Sequence, residues 1–401
     1  MSPTKRLLND SIEKFLLWKD AYGDVSYDQF DFWASEVGVR GKEIFLKNKI
    51  AGAAIVGPFQ ILESFLPSSR KLFAKRKRFA IGDAHFALGF MNLYKYFDEE
   101  AYLEKASNIL DEIISSASQT ANGIGWGYPY VWVTEMATYP EGTPFITVTP
   151  YCFYALNAMH QLTKEEKYLS VAKEAVRFAA YDLNETRISK SEVACSYSPI
   201  DHGSVINANT YRAAMLMKGY EIFGVEEYRE MANRNISFVL NNQNEDGSWF
   251  YSPNSRFIDN FHTCFVLKNL YKAYLSCRDE TILCAIKKGY AYYRKYLFRS
   301  DNTPIHFARL RYPKFRKIEM YDYAEGISLG VLLRDEIPGA LAFAETLAND
   351  LIQNCQLSDG HFVTRITTFG TKNKIPYLRW PQAQLFFSLS NLLTALDRMK
   401  T

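Results

Sequence analysis

The stretch "QNEDGSW", Gln243 to Trp249, decides how the chain is read. It is a tight turn of the form Gln243-x-x-Asp246-Gly247-x-Trp249. Two relatives lie elsewhere, Gln356-x-x-Asp359-Gly360-x-Phe362 and Gln119-x-x-Asn122-Gly123. Asp-Gly and Asn-Gly suit such turns because glycine tolerates positive φ, and the aromatic that follows can pack against neighbouring helices. The copies start 124 and 113 residues apart, which is two helical hairpins of roughly 60 residues each.

Working outward, each copy follows the second helix of a pair. Phe79 opens "FAIGDAHFALGFMNLYKYF", followed by "EEAYLEKASNILDEIISSA". The pattern returns as "TPYCFYALNAMHQL" with "EEKYLSVAKEAVRFAAYDL", and as "NANTYRAAMLMKGYEIF" with "EEYREMANRNISFVLNN". It returns again as "IDNFHTCFVLKNLYKAYL" with "DETILCAIKKGYAYYRKYLF", and as "YDYAEGISLGVLL" with "IPGALAFAETLANDLIQN". The first member of each pair is apolar nearly all round, as a helix buried on both sides must be. The second carries Glu and Lys on one face, as an outer helix does. Connections within pairs are short and acidic, and those between pairs are long and rich in Gly, Pro, Tyr and Trp. This alternation predicts a closed ring of helical hairpins with its long loops on one face. The last helix, "RWPQAQLFFSLSNLLTALDRM", has no successor, so the helix near Asp10 to Asp20 is its candidate partner.

Six hairpins with Gln-x-x-Asp-Gly-x-Trp turns resemble the (α/α)6 toroids, which include terpene cyclases, protein prenyltransferase β subunits, polysaccharide lyases, unsaturated-glycuronyl hydrolases and the helical domain of glucuronyl C5-epimerases. The resemblance spans residues 79–401 and implies an all-α (α/α)6 toroid. Residues 1–78 are expected to form an N-terminal helical extension that covers one end of the ring or serves a partner, with any helix ended or kinked at Gly57-Pro58. "LRWPQAQLFFSLSNLL" and "YDYAEGISLG" also loosely resemble toroid proteins of bacterial polysaccharide biosynthesis, the VpsJ type.

Composition narrows the class. Of 401 residues, 48% are hydrophobic and 23% charged, the balance of a soluble globular protein. A net charge of +3 without a basic stripe gives no argument for nucleic acid. The start of the chain lacks an apolar signal region, and the longest apolar run, Ile50 to Phe59, is about half a membrane span. The six cysteines show no metal or disulfide spacing and read as reduced core thiols, so a cytoplasmic location is expected. The oligomeric state is not legible.

In such a ring, chemistry gathers where the inner helices begin. The candidates there for proton transfer are Asp83, Asp259, His262, Tyr323 and Glu325. Asn207, Asn209, Tyr211, Arg379, Trp380 and Gln382 are candidates for substrate binding. Asp83 and Asp259 have capping as an alternative role. The long loops add Tyr128, Trp132, His202, Arg256 and Arg309. Tyr and Trp suit stacking on sugar rings, and the run Arg309, Arg311, Lys314, Arg316, Lys317 suits an acidic substrate.

"NFHTC" resembles the prenyltransferase segment in which a histidine, here His262, binds zinc. The Asp-x-Cys that those enzymes also need is missing from "VINANTYRAAMLMKG", so no metal or other cofactor is assigned. The expected function is therefore action on an acidic oligo- or polysaccharide by proton abstraction at a uronate, of lyase or C5-epimerase type, in capsule or exopolysaccharide metabolism. Glycoside hydrolysis by paired carboxylates and a non-catalytic glycan-binding or scaffold role stay open, with a zinc prenyltransferase-like enzyme as a lesser alternative.

Overall fold

A computed structural model describes residues 2–310 and 317–398; Arg311, Lys314 and Arg316 of the basic loop lie outside them. The helices in chain order are α1 (Pro3–Tyr22), α2 (Asp31–Ala34), α3 (Glu36–Lys47), α4 (Lys49–Phe65), α5 (Ala80–Phe97), α6 (Glu100–Ser115), α7 (Thr149–Thr163) and α8 (Glu166–Tyr181). They continue with α9 (Ile206–Phe223), α10 (Glu226–Asn241), α11 (Asn260–Cys277), α12 (Glu280–Tyr296), α13 (Met320–Leu332), α14 (Ala340–Cys355) and α15 (Ala383–Arg398).

Six inner helices form the ring. α5 packs on α7, α7 on α9, α9 on α11, α11 on α13, α13 on α15, and α15 returns to α5. Each carries an antiparallel outer partner, and α1 packs against both α15 and α14. The chain is an (α/α)6 toroid. Burial follows from position: α9 buries Ile206 through Met217 without a break, whereas α10 buries a stripe of Tyr228, Ala232, Asn235, Ile236, Phe238 and Val239. Inner helices α5, α7, α9 and α11 each end on a left-handed residue, Asp98, Lys164, Gly224 and Arg278, whose N–H bonds back to the last turn. That cap reverses the chain at once, which is why hairpin connections are so short.

The repeated turns fasten neighbouring outer helices together. Gln243 Nε2 donates to Gly247 O and to Ala285 O of α12. Gln356 Nε2 donates in the same way to Gly360 O and to Ser11 O of α1. Trp249 and Trp126 each give their indole N–H to the preceding outer helix, at Val239 O and Ile113 O. The glycines do more than permit the turn. Gly247 (φ +89°) and Gly360 (φ +108°) lie so close to the next outer helix that a Cβ would come 2.5 Å from Lys288 O and 2.1 Å from Lys14 O. At Gly123 it would come 2.2 Å from Glu174 O of α8. Gly247→Ala is therefore expected to cost about 2–4 kcal/mol in urea unfolding, from strained φ plus a backbone clash. A cost below 1 kcal/mol would show that the contact is not tight.

Before the first inner helix, α3 and α4 form a hairpin; of the two outcomes expected at Gly57-Pro58, an end or a kink, the helix does not end there, since α4 continues through Pro58. Ala54, whose carbonyl loses its partner to the proline ring, is exposed, so water can satisfy it. The segment is anchored by buried Arg70, whose guanidinium pairs with Glu63 and bonds the Asp28 carbonyl, with Asp31 3.6 Å away. Among the described residues, strands are confined to two- and three-residue pieces in the long loops.

Candidate active site

A cavity of about 280 Å³ opens at the N-terminal ends of the inner helices. Its wall is mostly aromatic: Tyr128, Trp132, Tyr151, Tyr197, Tyr211, Tyr251, Phe261, Phe265, Tyr321 and Trp380 contribute, with Asn207, His262 and Arg379 among the polar groups. Aromatics at this density provide stacking surfaces for sugar rings. A second cleft of about 730 Å³ shares Phe30, Phe261 and Trp380 with the cavity, and adds Trp33, His306, Lys317, Glu319 and Arg365.

The start of α11 explains His262. Asp259 is the N-cap and accepts the His262 backbone N–H through Oδ1 at 2.9 Å. Its other oxygen, Oδ2, lies 2.7 Å from His262 Nδ1. One buried carboxylate thus caps the helix and fixes the ring, which makes Nε2 the basic nitrogen of the neutral imidazole. A second pair has the same form. His306 Nδ1 lies 2.8 Å from Oδ2 of Asp322, and the His306 carbonyl accepts the N–H of Asn260 at 3.0 Å. Burial raises the Asp322 pKa, and His306 opposes that shift. Phe261 lies between the two imidazoles, its ring centroid 4.2 Å from that of His262 and 5.6 Å from that of His306.

Polar partners organise the rest of the wall. Tyr151 and Tyr211 share a hydroxyl hydrogen bond of 2.5 Å. The Tyr197 hydroxyl donates to Asn207 Oδ1 at 2.9 Å and meets that of Tyr251 at 3.1 Å. Trp380 stacks on Tyr321 with centroids 3.6 Å apart. Arg379 grips Asp28 through Nε (2.6 Å) and Nη2 (2.7 Å), with Phe30, Phe79 and Tyr128 around its guanidinium. In the outer cleft, burial alone would raise Glu319, but Arg365 and Lys317 hold it down at about 2.

Asp259, His262, Asn207, Tyr211, Arg379, Trp380, Tyr128 and Trp132 thus border one region. Other candidates lie elsewhere. The Tyr323 hydroxyl donates to Asp350 of α14, between the helix layers and away from the cavity. Glu325 is below the floor, its carboxylate 2.5 Å from Lys268 Nζ. Asp83 bonds Arg78 Nε at 2.7 Å and does not line the cavity; burial pushes its pKa up to about 7 against the pull of Arg78.

Asn209 is consumed by the Cys195 N–H, Asn235 and Val205 O, and Gln382 clamps both backbone groups of Phe362. Both amides hold loops in place. His202 is exposed outside the cavity, and Arg256 and Arg309 lie exposed over the Phe250 ring. Lys317 is paired with Glu319. The Cys264 thiol bonds the Glu325 carbonyl at 3.2 Å, and no three His, Cys, Asp or Glu side chains gather to hold a metal among the described residues.

The residues that sequence reasoning missed are His306, Asp322, Tyr321 and Asp28. His306 stands in the loop that carries the basic run, "PIHFARLRYPKFRK", as one of only six histidines, which was the available signal.

No family model and no curated protein matches the sequence. Solved structures do match. A cellobiose 2-epimerase from Bacillus thermoamylovorans is similar at TM-score 0.61 and 12% identity, over 79% of this chain and 87% of that one. A GH76 α-mannanase from Bacteroides thetaiotaomicron is similar at TM-score 0.63 and 12% identity, over 82% and 89%. An unsaturated glucuronyl hydrolase specific for heparin is similar at TM-score 0.58 and 11% identity, over 80% and 86%. At these identities the likeness is one of fold, and it places the chain among the (α/α)6 toroids.

Proposed function

We propose that the protein is a carbohydrate-active enzyme that moves a proton at a sugar carbon next to a carbonyl or carboxylate group. The observation that carries this reading is the His262–Asp259 pair at the cavity wall. Nε2 of His262 takes the proton, and Asp259 stabilises the imidazolium that forms. Negative charge then develops on the neighbouring oxygen. The donors suited to it are Arg379 Nη1, since Asp28 already engages Nε and Nη2, and the tyrosine hydroxyls. His306, held by Asp322 on the cleft side of Phe261, is suited to return a proton. Delivery to the opposite face of the same carbon is epimerisation, and delivery to the adjacent carbon is isomerisation.

Several observations favour this over two-carboxylate hydrolysis. Asp259, Asp322, Glu325, Glu319 and Asp28 are each tied to a histidine or cation. Hydrolysis needs one carboxyl free to protonate the leaving oxygen. Solved toroids similar to this chain include a D-mannose isomerase and the cellobiose 2-epimerase, but also the glucuronyl hydrolase and the mannanase, so the choice rests on the paired carboxylates. A uronate stays within the proposed substrate class, but the acidic-substrate argument weakens because Arg379 and Lys317 already have carboxylate partners.

The test is incubation in D2O with reducing oligosaccharides and with uronic-acid oligosaccharides, followed by NMR. Deuterium is expected at the carbon beside the carbonyl or carboxylate. Release of new reducing ends without deuterium and without the vinyl signal of an unsaturated uronate would establish hydrolysis instead. Binding without either would mean a glycan-binding module.

A further inference from the structure

The α3–α4 hairpin presents an apolar face to solvent. Along α4, Ile50, Ala54, Pro58, Ile61 and Phe65 are all exposed, and their spacing of three and four residues makes one stripe. Ile50 is 87% exposed and Ile61 60%. The opposite face is used: a Cβ on Gly41 of α3 would meet Ile55, and Phe59 packs against Phe32 and Trp33. Past the helix end Leu66 (61%) and Leu72 (88%) are also exposed, and Phe369 of a neighbouring loop lies beside Phe65. Scattered exposed apolar residues are ordinary, but a stripe held along one face of a helix marks a contact surface.

Charge indicates the occupant. Residues 36–78 hold ten Lys and Arg against three acidic residues, and Lys47, Lys49, Lys71, Lys75 and Arg76 are exposed around the stripe. A second copy of the same face would bring like charges together, whereas anionic headgroups would neutralise them. No helix among the described residues is long and apolar enough to cross a membrane, so the geometry suits a helix lying in the interface plane. Phe65 of this hairpin and Trp33 of α2 also line the outer cleft.

We propose that this face docks peripherally on a bilayer rich in anionic lipid, with the α4 stripe at the acyl boundary and the lysines among the headgroups. The test is co-sedimentation of the full chain with vesicles of phosphatidylcholine alone or with 30% phosphatidylglycerol. Binding is expected to the anionic vesicles, and Ile61→Asp with Leu72→Asp is expected to weaken it at least about tenfold. Lys71→Glu with Lys75→Glu is expected to remove the preference for anionic lipid. All four side chains are exposed, and circular dichroism should verify that each variant stays folded. Absence of co-sedimentation, or binding unchanged in the aspartate pair, overturns the proposal. So does a particle of twice the mass in light scattering that the aspartate pair dissociates, which would assign the face to a second copy.

Discussion

Replacing His262 by alanine is expected to lower kcat by roughly 10²- to 10⁴-fold while leaving the ring folded. The imidazole is the group at the cavity wall whose one nitrogen is fixed by a carboxylate while the other can take a proton. Its side chain makes no other hydrogen bond that the helix needs, since the N-cap bond goes to its backbone N–H. Asp259→Asn is the sharper companion. Asparagine caps a helix nearly as well as aspartate, so α11 should persist. An amide cannot stabilise the imidazolium and favours a different tautomer when its NH2 faces Nδ1, so activity should fall although Tm does not. Steady-state kinetics on the substrate found by deuterium exchange separates kcat from KM. Retention of activity within threefold in His262→Ala would remove the base from the proposed mechanism.

The largest stability effect is expected at Asp28. Its carboxylate is fully buried and holds Arg379, itself buried, in a two-bonded pair. Asp28→Ala leaves a guanidinium without its counter-charge and should cost about 3–5 kcal/mol in chemical unfolding. Replacing both members with apolar residues, Asp28→Leu with Arg379→Met, should cost less than the single change, because no lone charge remains to desolvate. A double-mutant cycle measures that difference. If the single change costs less than 1 kcal/mol, water reaches the guanidinium and the pair is not the anchor described.

The ring was legible in the sequence because two periodicities agreed: apolar spacing within helices and in-phase turns between hairpins. The site was legible only to the level of a helical turn. In α13, Tyr321 reaches the cavity, Tyr323 faces α14, and Glu325 lies beneath the floor. A list of first-turn residues cannot tell these faces apart, because each step rotates the side chain by about 100°. Polar residues on inner helices were also ambiguous. Asn209 and Gln382 satisfy loop backbone, a demand that depends on loop conformation. His306 comes from a loop, and Asp28 meets Arg379 from 351 positions away, so no local pattern announces either.

The seam between α1 and the last hairpin has a consequence for how the protein is made. Ser11 receives the Gln356 amide, and Lys5 bonds Asp397 at 2.7 Å across 392 positions of chain. Helix α1 is therefore synthesised long before α15, the helix it must pack against. At ribosomal rates that interval is roughly tens of seconds. Throughout it, the apolar face of α1, with Leu8, Ile12 and Phe15, has no α15 to cover it. Closure of the ring therefore cannot precede synthesis of α15, and until then this face of α1 lacks its native cover.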